Sequence, residues 1–316
     1  MKILISCLSF CNLTGSELYV YELAKELSKN HEVDIISVNF GGELFNKLKQ
    51  NTVGSNCFNI NSPPNYFLGD GVREYIKDGV SKVTHRGIYY KTSNDTKYDL
   101  LLLSHPYIAN TILQLYDAPA LNIVHSEILP RFEYPIIHPN VKGYIAIRDS
   151  IKQYLIKDWD IDSNKISVIG NPFDIDRFNM FESDEHDNYI LFVGTYDYLR
   201  KKTVNELIKI SNNEGKKLLL IGSGYPNFSE NWVETLNPCW DIEKYVKRAY
   251  KVASILKGRT AIEGWLCGKS ALIFDVDKHG NIKSIEDKRP QFGMIDYYSN
   301  NVVKQILDFW DNVKKN

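Results

Sequence analysis

Residues Lys251 to Asp275 read KVASILKGRTAIEGWLCGKSALIFD. An apolar run ends at Gly258, a short helical pattern opens on Arg259 and Thr260 and stops at Cys267-Gly268, and a second buried-looking run closes at Asp275. Strands spaced by helices imply a parallel sheet with helices on both faces. The same layout presents free backbone N–H groups to an anion at the helix start. Gly258 lets a ligand approach the backbone, Arg259 adds a planar fork suited to phosphate, and Thr260 can cap the helix. Thr260, Glu263 and Cys267 share one face by their spacing, and Ile262, Trp265 and Leu266 serve the buried side. Glu263 then sits one turn from a phosphate site, where a carboxylate can accept hydrogen bonds from both ribose hydroxyls. The plainer alternative is an ordinary capped helix with a solvated glutamate.

Working outward, the cycle repeats. KILISCLSF (2–10) is a continuous apolar run, as a buried parallel strand requires, and EVDIISVNF (32–40), YDLLLLSH (98–105), ALNIVHS (120–126) and VKGYIAI (141–147) read as further strands. Between the first two, ELYVYELAKELSKN places Val20, Leu23, Ala24 and Leu27 on one helical face. DSIKQYLIKDW (149–159) reads as a helix with Asp149 as N-cap. Residues 61–96 are ambiguous. The polar stretch Asn171 to Asn188 breaks the pattern and reads as an interdomain linker. YILFVGT, KKTVNELIKISNNEG and KKLLLIGSG then restart it, and NNVVKQILDFWDNVKK closes the chain as an amphipathic helix. The expectation is two doubly wound α/β domains, 1–172 and 173–316, with the last helix free to pack back on the first. Such a protein binds its ligand at strand carboxyl ends, in a cleft between the lobes.

The bulk numbers agree. The chain has 316 residues, 43% hydrophobic and 24% charged, with a formal net charge of -1. That is a globular profile with room for two domains, and it gives no global basic excess for nucleic acid. The N-terminal apolar run is too short for a signal peptide, and no run reaches membrane-spanning length. Cys7, Cys11, Cys57, Cys239 and Cys267 have neither metal nor disulfide spacing, which suits reduced thiols in a cytoplasm.

Several motifs now fall in one order, and together they resemble the retaining GT-B glycosyltransferases of glycosyltransferase family four, over roughly 1–30 and 97–282. TGSELYVYELAKEL resembles the family's glycine loop and first helix, with Gly15 and Ser16 at the positions that approach donor phosphate and sugar; Thr14 and Glu17 also read as a capping box. ALNIVHS resembles the strand whose terminal histidine, here His125, faces the reacting sugar; His105 likewise ends a strand. KISVIGNPFDIDRF resembles the crossing into the second domain, with Asn171, Asp174 and Phe178 matching and Pro172 in place of glycine. FVGTYDYLRKK resembles the segment whose arginine and lysine clamp the donor diphosphate: Lys201 matches the lysine, Thr195 stands at the arginine position, and Arg200 is one residue early. Cations at a helix start oppose its dipole, which favours a bound anion there. SILKGRTAIEG resembles the paired-glutamate motif, with Glu263 on the ribose-binding acid and Ile255 where the first acid stands.

The resemblance implies two Rossmann-like domains and a metal-independent hexosyltransferase that retains anomeric configuration, with UDP-sugar the favoured donor and no cofactor. Its catalytic residues would be His125, Lys201 and Arg259. Its donor contacts would be Gly15, Ser16, Thr195, Arg200, Gly222, Gly224, Gly258, Thr260 and Glu263. The acceptor would be a glycan or other hydroxyl, in cell-surface glycan assembly, and contact with the inner face of a membrane stays open. Asp275 and Asp277 in FDVDKHG offer a rival, the metal-holding pair of a GT-A enzyme. A viral DNA-base glycosyltransferase and a non-catalytic nucleotide-sugar or glycan-binding relative are further alternatives. No G-x-G-x-x-G follows the first strand, which argues against a Rossmann dehydrogenase.

Overall fold

The computed structural model describes residues 1–37, 40, 42–51, 57–59, 75–77, 80–82, 96–129, 133–178, 187–289 and 294–314. They form two compact units, Met1–Phe173 with Ser299–Asn316, and Asp174–Tyr298. Contacts therefore assign Phe173 and the terminal helix to the first unit.

In the first unit the elements are β1 (Lys2–Cys7), α1 (Gly15–Leu27), β2 (Glu32–Ser37), α2 (Gly42–Asn51), β3 (Cys57–Asn59), β4 (Tyr75–Lys77), β5 (Val80–Lys82), β6 (Leu100–Ser104), α3 (Pro106–Leu115), β7 (Ala120–Val124), β8 (Val141–Ala146), α4 (Asp149–Trp159) and β9 (Ile166–Val168). Strands β4 and β5 pair as a small antiparallel ribbon. The main sheet runs β3-β2-β1-β6-β7-β8-β9 and is parallel throughout. Every residue of β6 and β7 is buried, which is why both read as unbroken apolar runs. Strand β1 lies between β2 and β6, so the chain order reverses there and the carboxyl ends of β1 and β6 open a crevice. Helix α4 starts one residue earlier than an Asp149 cap implies: Arg148, not Asp149, is the N-cap, and its side chain goes to Glu127 and Ser150 instead of capping.

The second unit has α5 (Ile175–Phe178), β10 (Tyr189–Val193), α6 (Lys201–Asn213), β11 (Lys217–Ile221), β12 (Val233–Leu236), α7 (Ile242–Arg248), β13 (Lys251–Ile255), α8 (Arg259–Leu266), β14 (Ala271–Val276) and β15 (Ile282–Lys288). Its sheet runs β12-β11-β10-β13-β14-β15, parallel except for β15, an exposed edge strand whose charged side chains guard against further pairing. The reversal of order lies between β10 and β13. The opening stretch is β13, α8 and β14, and Gly264 is what lets α8 lie close on the sheet: a Cβ there would come within 2.3 Å of a Val252 methyl.

The boundary between the two units, Phe173/Asp174, falls inside the segment read as a linker, and the described near end of that segment is packed. Phe173 and Phe178 are fully buried and Asn171 is nearly so, while 179–186 lie outside the described residues. The last helix, α9 (Ser299–Val313), buries Val302, Ile306, Trp310 and Val313 at helical spacing and packs on α1 and β8.

Candidate functional site

Each sheet brings a group of the expected residues to its switch point. In the first unit, α1 begins with Gly15, where an added Cβ would meet no described atom within 4 Å. The first-turn N–H groups of a helix have no intrahelical partner. Glu17 reaches back to the Thr14 N–H (3.2 Å) and hydroxyl (3.1 Å) and closes the capping box. Ser16 beside it is half-buried.

His125 follows β7, and its ring is fixed on three sides. Nε2 lies 3.1 Å from the Ser104 hydroxyl at the end of β6. The ring stacks on His105 with centroids 5.6 Å apart, and Tyr19 of α1 meets it edge-on at 5.0 Å. Burial, helped by His105 and Arg148, holds the His125 imidazole well below its ordinary pKa, so it is neutral at physiological pH. His105 is buried as well, at φ 63°, a conformation that costs a non-glycine residue about 1–3 kcal/mol. The Leu8 N–H donates to its Nδ1 (3.4 Å), which puts the proton of the neutral ring on Nε2, facing Glu133 Oε1 at 3.3 Å. Glu133 is 6% exposed, and its other oxygen accepts from the His125 main-chain N–H (3.3 Å). Burial pushes this carboxyl up to about 8 and His105 down to about 4. Sequence reasoning missed Glu133: a single acid in a loop has no periodic or motif signal.

In the second unit the loops after β10 and β11 interlock. The Tyr196 N–H donates to the Ser223 carbonyl (2.8 Å), the Ser223 hydroxyl to Thr195 Oγ1 (3.3 Å), and the Tyr225 hydroxyl to the Gly194 carbonyl (2.8 Å). Gly222 admits no side chain, since a Cβ would fall 1.9 Å from the Gly194 carbonyl oxygen. Gly224, at φ 79°, turns the chain beside Tyr196. Thr195, Gly222 and Gly224 are thus neighbours. Lys201 opens α6, exposed and without an ion pair among the described residues. Arg200 behaves differently. Asp197 accepts from the Leu199 and Arg200 N–H groups (3.0 Å each) and pairs with the Arg200 guanidinium. This carboxylate supplies the negative charge that the sequence reading sought in a bound anion.

Gly258 is the N-cap of α8, and no side chain caps that helix. Arg259, Thr260 and Glu263 follow as expected in position but not in surroundings. Thr260 and Glu263 are buried along with Ile262 and Trp265, while Leu266 is only half-buried, so α8 has no polar open face. Arg259 Nε donates to Glu263 Oε1 at 2.9 Å, with both side chains below 10% exposed. The cover comes from α5 and α7, which pack on α8. Cys267 Sγ donates to the Phe178 carbonyl (3.6 Å), and Arg177 pairs with Glu243 (2.8 Å) while stacking on Trp240 (4.1 Å). Burial pushes the Glu263 carboxyl above its ordinary range against the pull of Arg259 and Arg177.

Asp277 is spent on its own hairpin: it accepts from the His279 N–H (2.8 Å), the Asn281 N–H (2.9 Å) and Asn281 Nδ2 (2.8 Å), which holds its carboxyl down at about 2. Among the described residues, no group of three or more His, Cys, Asp or Glu side chains is placed to hold a metal ion.

The sequence matches the family described as Glycosyltransferase Family 4 over residues 13–177. No curated protein matches it. Among solved structures it is similar to HepE of Anabaena in complex with UDP and glucose, with TM-score 0.62 and 13% identity over 99% of this chain and 100% of that one. It is similar also to a glycosyltransferase of Rickettsia africae, with TM-score 0.58 and 17% identity over 98% of this chain and 88% of that one. UDP-N-acetylglucosamine 2-epimerase of Rickettsia bellii is a further match, with TM-score 0.58 and 12% identity over 99% and 96%. At these identities the likeness is one of fold, the GT-B architecture of two parallel-dominated sheets, which an epimerase shares with transferases.

Proposed function

The chain belongs to Glycosyltransferase Family 4, and on that premise we propose that it moves a hexose from a nucleotide-diphosphate sugar, with UDP as the nucleotide, to an acceptor hydroxyl with retention of anomeric configuration. The acceptor in this reading is a growing glycan of the cell surface, assembled on the cytoplasmic side of a membrane. Among the described residues no helix is long and apolar enough to cross one.

The observation that carries the reading is the switch point of the second sheet. There, three glycines (Gly222, Gly224, Gly258), the uncapped start of α8 and the exposed ammonium of Lys201 follow strands β11, β13 and β10. Gly222 and Gly224 give base and ribose access to the main chain. Lys201, Thr260 and Arg259 meet the diphosphate. Glu263 is the ribose acid of this reading: its Oε2 makes no hydrogen bond to a described residue, although the side chain is only 4% exposed and the cover over α8 must shift to admit a ribose. In the first unit Gly15, Ser16 and neutral His125 meet the donor sugar. Bond breaking is then driven by positive charge and N–H dipoles fixed where the departing diphosphate gains charge, with no resident cofactor. HepE, solved with UDP and glucose, supports the choice of donor.

The test is thermal unfolding with UDP, other nucleoside diphosphates and UDP-glucose, with and without EDTA. UDP should raise the midpoint regardless of EDTA. Lys201→Ala should weaken UDP about tenfold or more, the worth of one charge-assisted hydrogen bond, whereas Arg200→Ala, whose guanidinium Asp197 holds, should have little effect. No stabilisation by any nucleoside diphosphate overturns the reading, and stabilisation that needs a divalent ion revives Asp275 and Asp277. Thr195 and Ile255, standing where the resemblance expects an arginine and an acid, motivate a second reading as a binding relative without transfer; a transferred product removes it.

A further inference from the structure

Three strand ends of the first sheet meet at one buried carboxyl. Glu133 receives the His125 N–H from the end of β7 and faces the His105 ring from the end of β6, and that ring in turn receives the Leu8 N–H from the end of β1. His105 lies face to face with His125 (5.6 Å, 24°) and leaves its neighbour one way to sit, with Nε2 on the Ser104 hydroxyl. Among the described residues, nothing bonds His125 Nδ1. We propose that Glu133 is a positioning residue for the donor-sugar site: it ties the His125 main chain to the His105 ring, and the stacked rings present His125 Nδ1 to a sugar hydroxyl.

The inference rests on the reading of the chain as a sugar-nucleotide transferase. It adds that the histidine is aimed by a carboxyl that does not itself touch sugar. The other titratable or charged groups around Glu133 are Cys7 at the end of β1, Arg148 (paired with Glu127) before α4, and Tyr154 on α4; from α1, Glu17 lies near Cys7 and Tyr19 meets His125. Among these, only the two histidines make a hydrogen bond or ion pair with Glu133. A loop held at one carboxyl by two strand ends is placed more firmly than a loop held by packing alone, and a ring that must meet a substrate atom needs that.

The experiment compares the full-length protein with Glu133→Gln and His105→Asn. Glutamine keeps the shape but cannot ionise, and asparagine is among the non-glycine residues found most often at positive φ. Two readouts are taken. One is the ring-nitrogen spectrum of His125 in 15N-labelled protein, which reports tautomer and ring order. The other is calorimetric affinity for UDP and for UDP-glucose. Both variants should shift the His125 nitrogen signals toward averaged values. Both should also cut the preference for UDP-glucose over UDP by about tenfold, one hydrogen bond's worth, with UDP itself nearly unchanged. Unmoved His125 signals with an unmoved preference overturn the proposal, as does wild-type protein that binds UDP-glucose no better than UDP. If the wild type binds no UDP at all, the donor reading fails, and the nitrogen spectrum still decides whether Glu133 positions His125.

Discussion

Replacing Glu263 by alanine separates what the Arg259–Glu263 pair does for the fold from what it does for a ligand. Both side chains are below 10% exposed, the Nε–Oε1 distance is 2.9 Å, and Arg177 lies close enough to act on the same carboxyl. Truncation leaves the Arg259 guanidinium buried without this carboxylate, and breaking such a pair costs roughly 3–5 kcal/mol. The second unit spans Asp174–Tyr298; for a domain of this size 1 kcal/mol moves the midpoint by about 4 °C, so the unliganded protein should melt roughly 12–20 °C lower. Saturating UDP at about 100 times its Kd adds about 2.7 kcal/mol, less than the expected loss. A low midpoint in Glu263→Ala is therefore no sign of a lost ribose contact. The ligand question is decided by the UDP-induced increment, measured separately in each variant. A double variant, Arg259→Met with Glu263→Leu, should recover much of the unliganded midpoint, because apolar residues of similar volume replace buried pairs at little cost. The reasoning is refuted if unliganded Glu263→Ala melts within about 4 °C of the wild type, or if the double variant is no better than the single one.

Two further outcomes follow from packing and from titration. Gly264→Ala would press a methyl to 2.3 Å from Val252 Cγ2; overpacking of this kind should cost about 1–3 kcal/mol in urea unfolding, and the loss should shrink in a Val252→Ala background. The Glu133 carboxyl is raised from 4.5 to about 8 by burial, so its contribution to stability is full below 4.5 and is lost as pH rises through about 8. His105 is lowered from 6.5 to about 4, so its contribution is full above 6.5 and is lost as pH falls through about 4. Between 6.5 and about 8 the Glu133 slope stands without an opposing one from His105, and Glu133→Gln should flatten urea midpoints across that window; equal slopes in both proteins would count against a titrating Glu133.

Most strands were legible because parallel strands buried on both faces leave continuous apolar runs, as at Leu100–Leu103 and Leu218–Ile221. The elements that escaped lack such runs. Strand β12, VETL, is half exposed, and α7, IEKYVKR, buries only Ile242 and Val246. Helix α9 showed its apolar stripe plainly, but a stripe says that a face is buried and not against what. Its return to the first unit rests on non-local fits, such as the Phe309 ring lying where a Cβ on Gly143 would be, 2.8 Å away.

Two stretches met surroundings that the sequence did not signal, and the cause is shared. The residues from Asn171 onward were taken for a linker because turn formers and acids crowd the stretch, yet the aromatics at its near end, Phe173 and Phe178, are fully buried. Once α5 folds and brings Arg177 and the Phe178 carbonyl toward α8, that helix cannot keep a solvated polar face. The Arg259 and Glu263 spacing, read from sequence as one group for phosphate and one for ribose, is equally the i,i+4 spacing of an ion pair. Solvent would have left the two side chains apart at little cost, since an exposed pair is worth little. Burial removes that freedom, because two charges taken out of water must find each other. Spacing along a helix thus fixed which groups could meet. Whether they do was decided by a segment eighty residues earlier, near Phe178, that carried no signal of reaching α8.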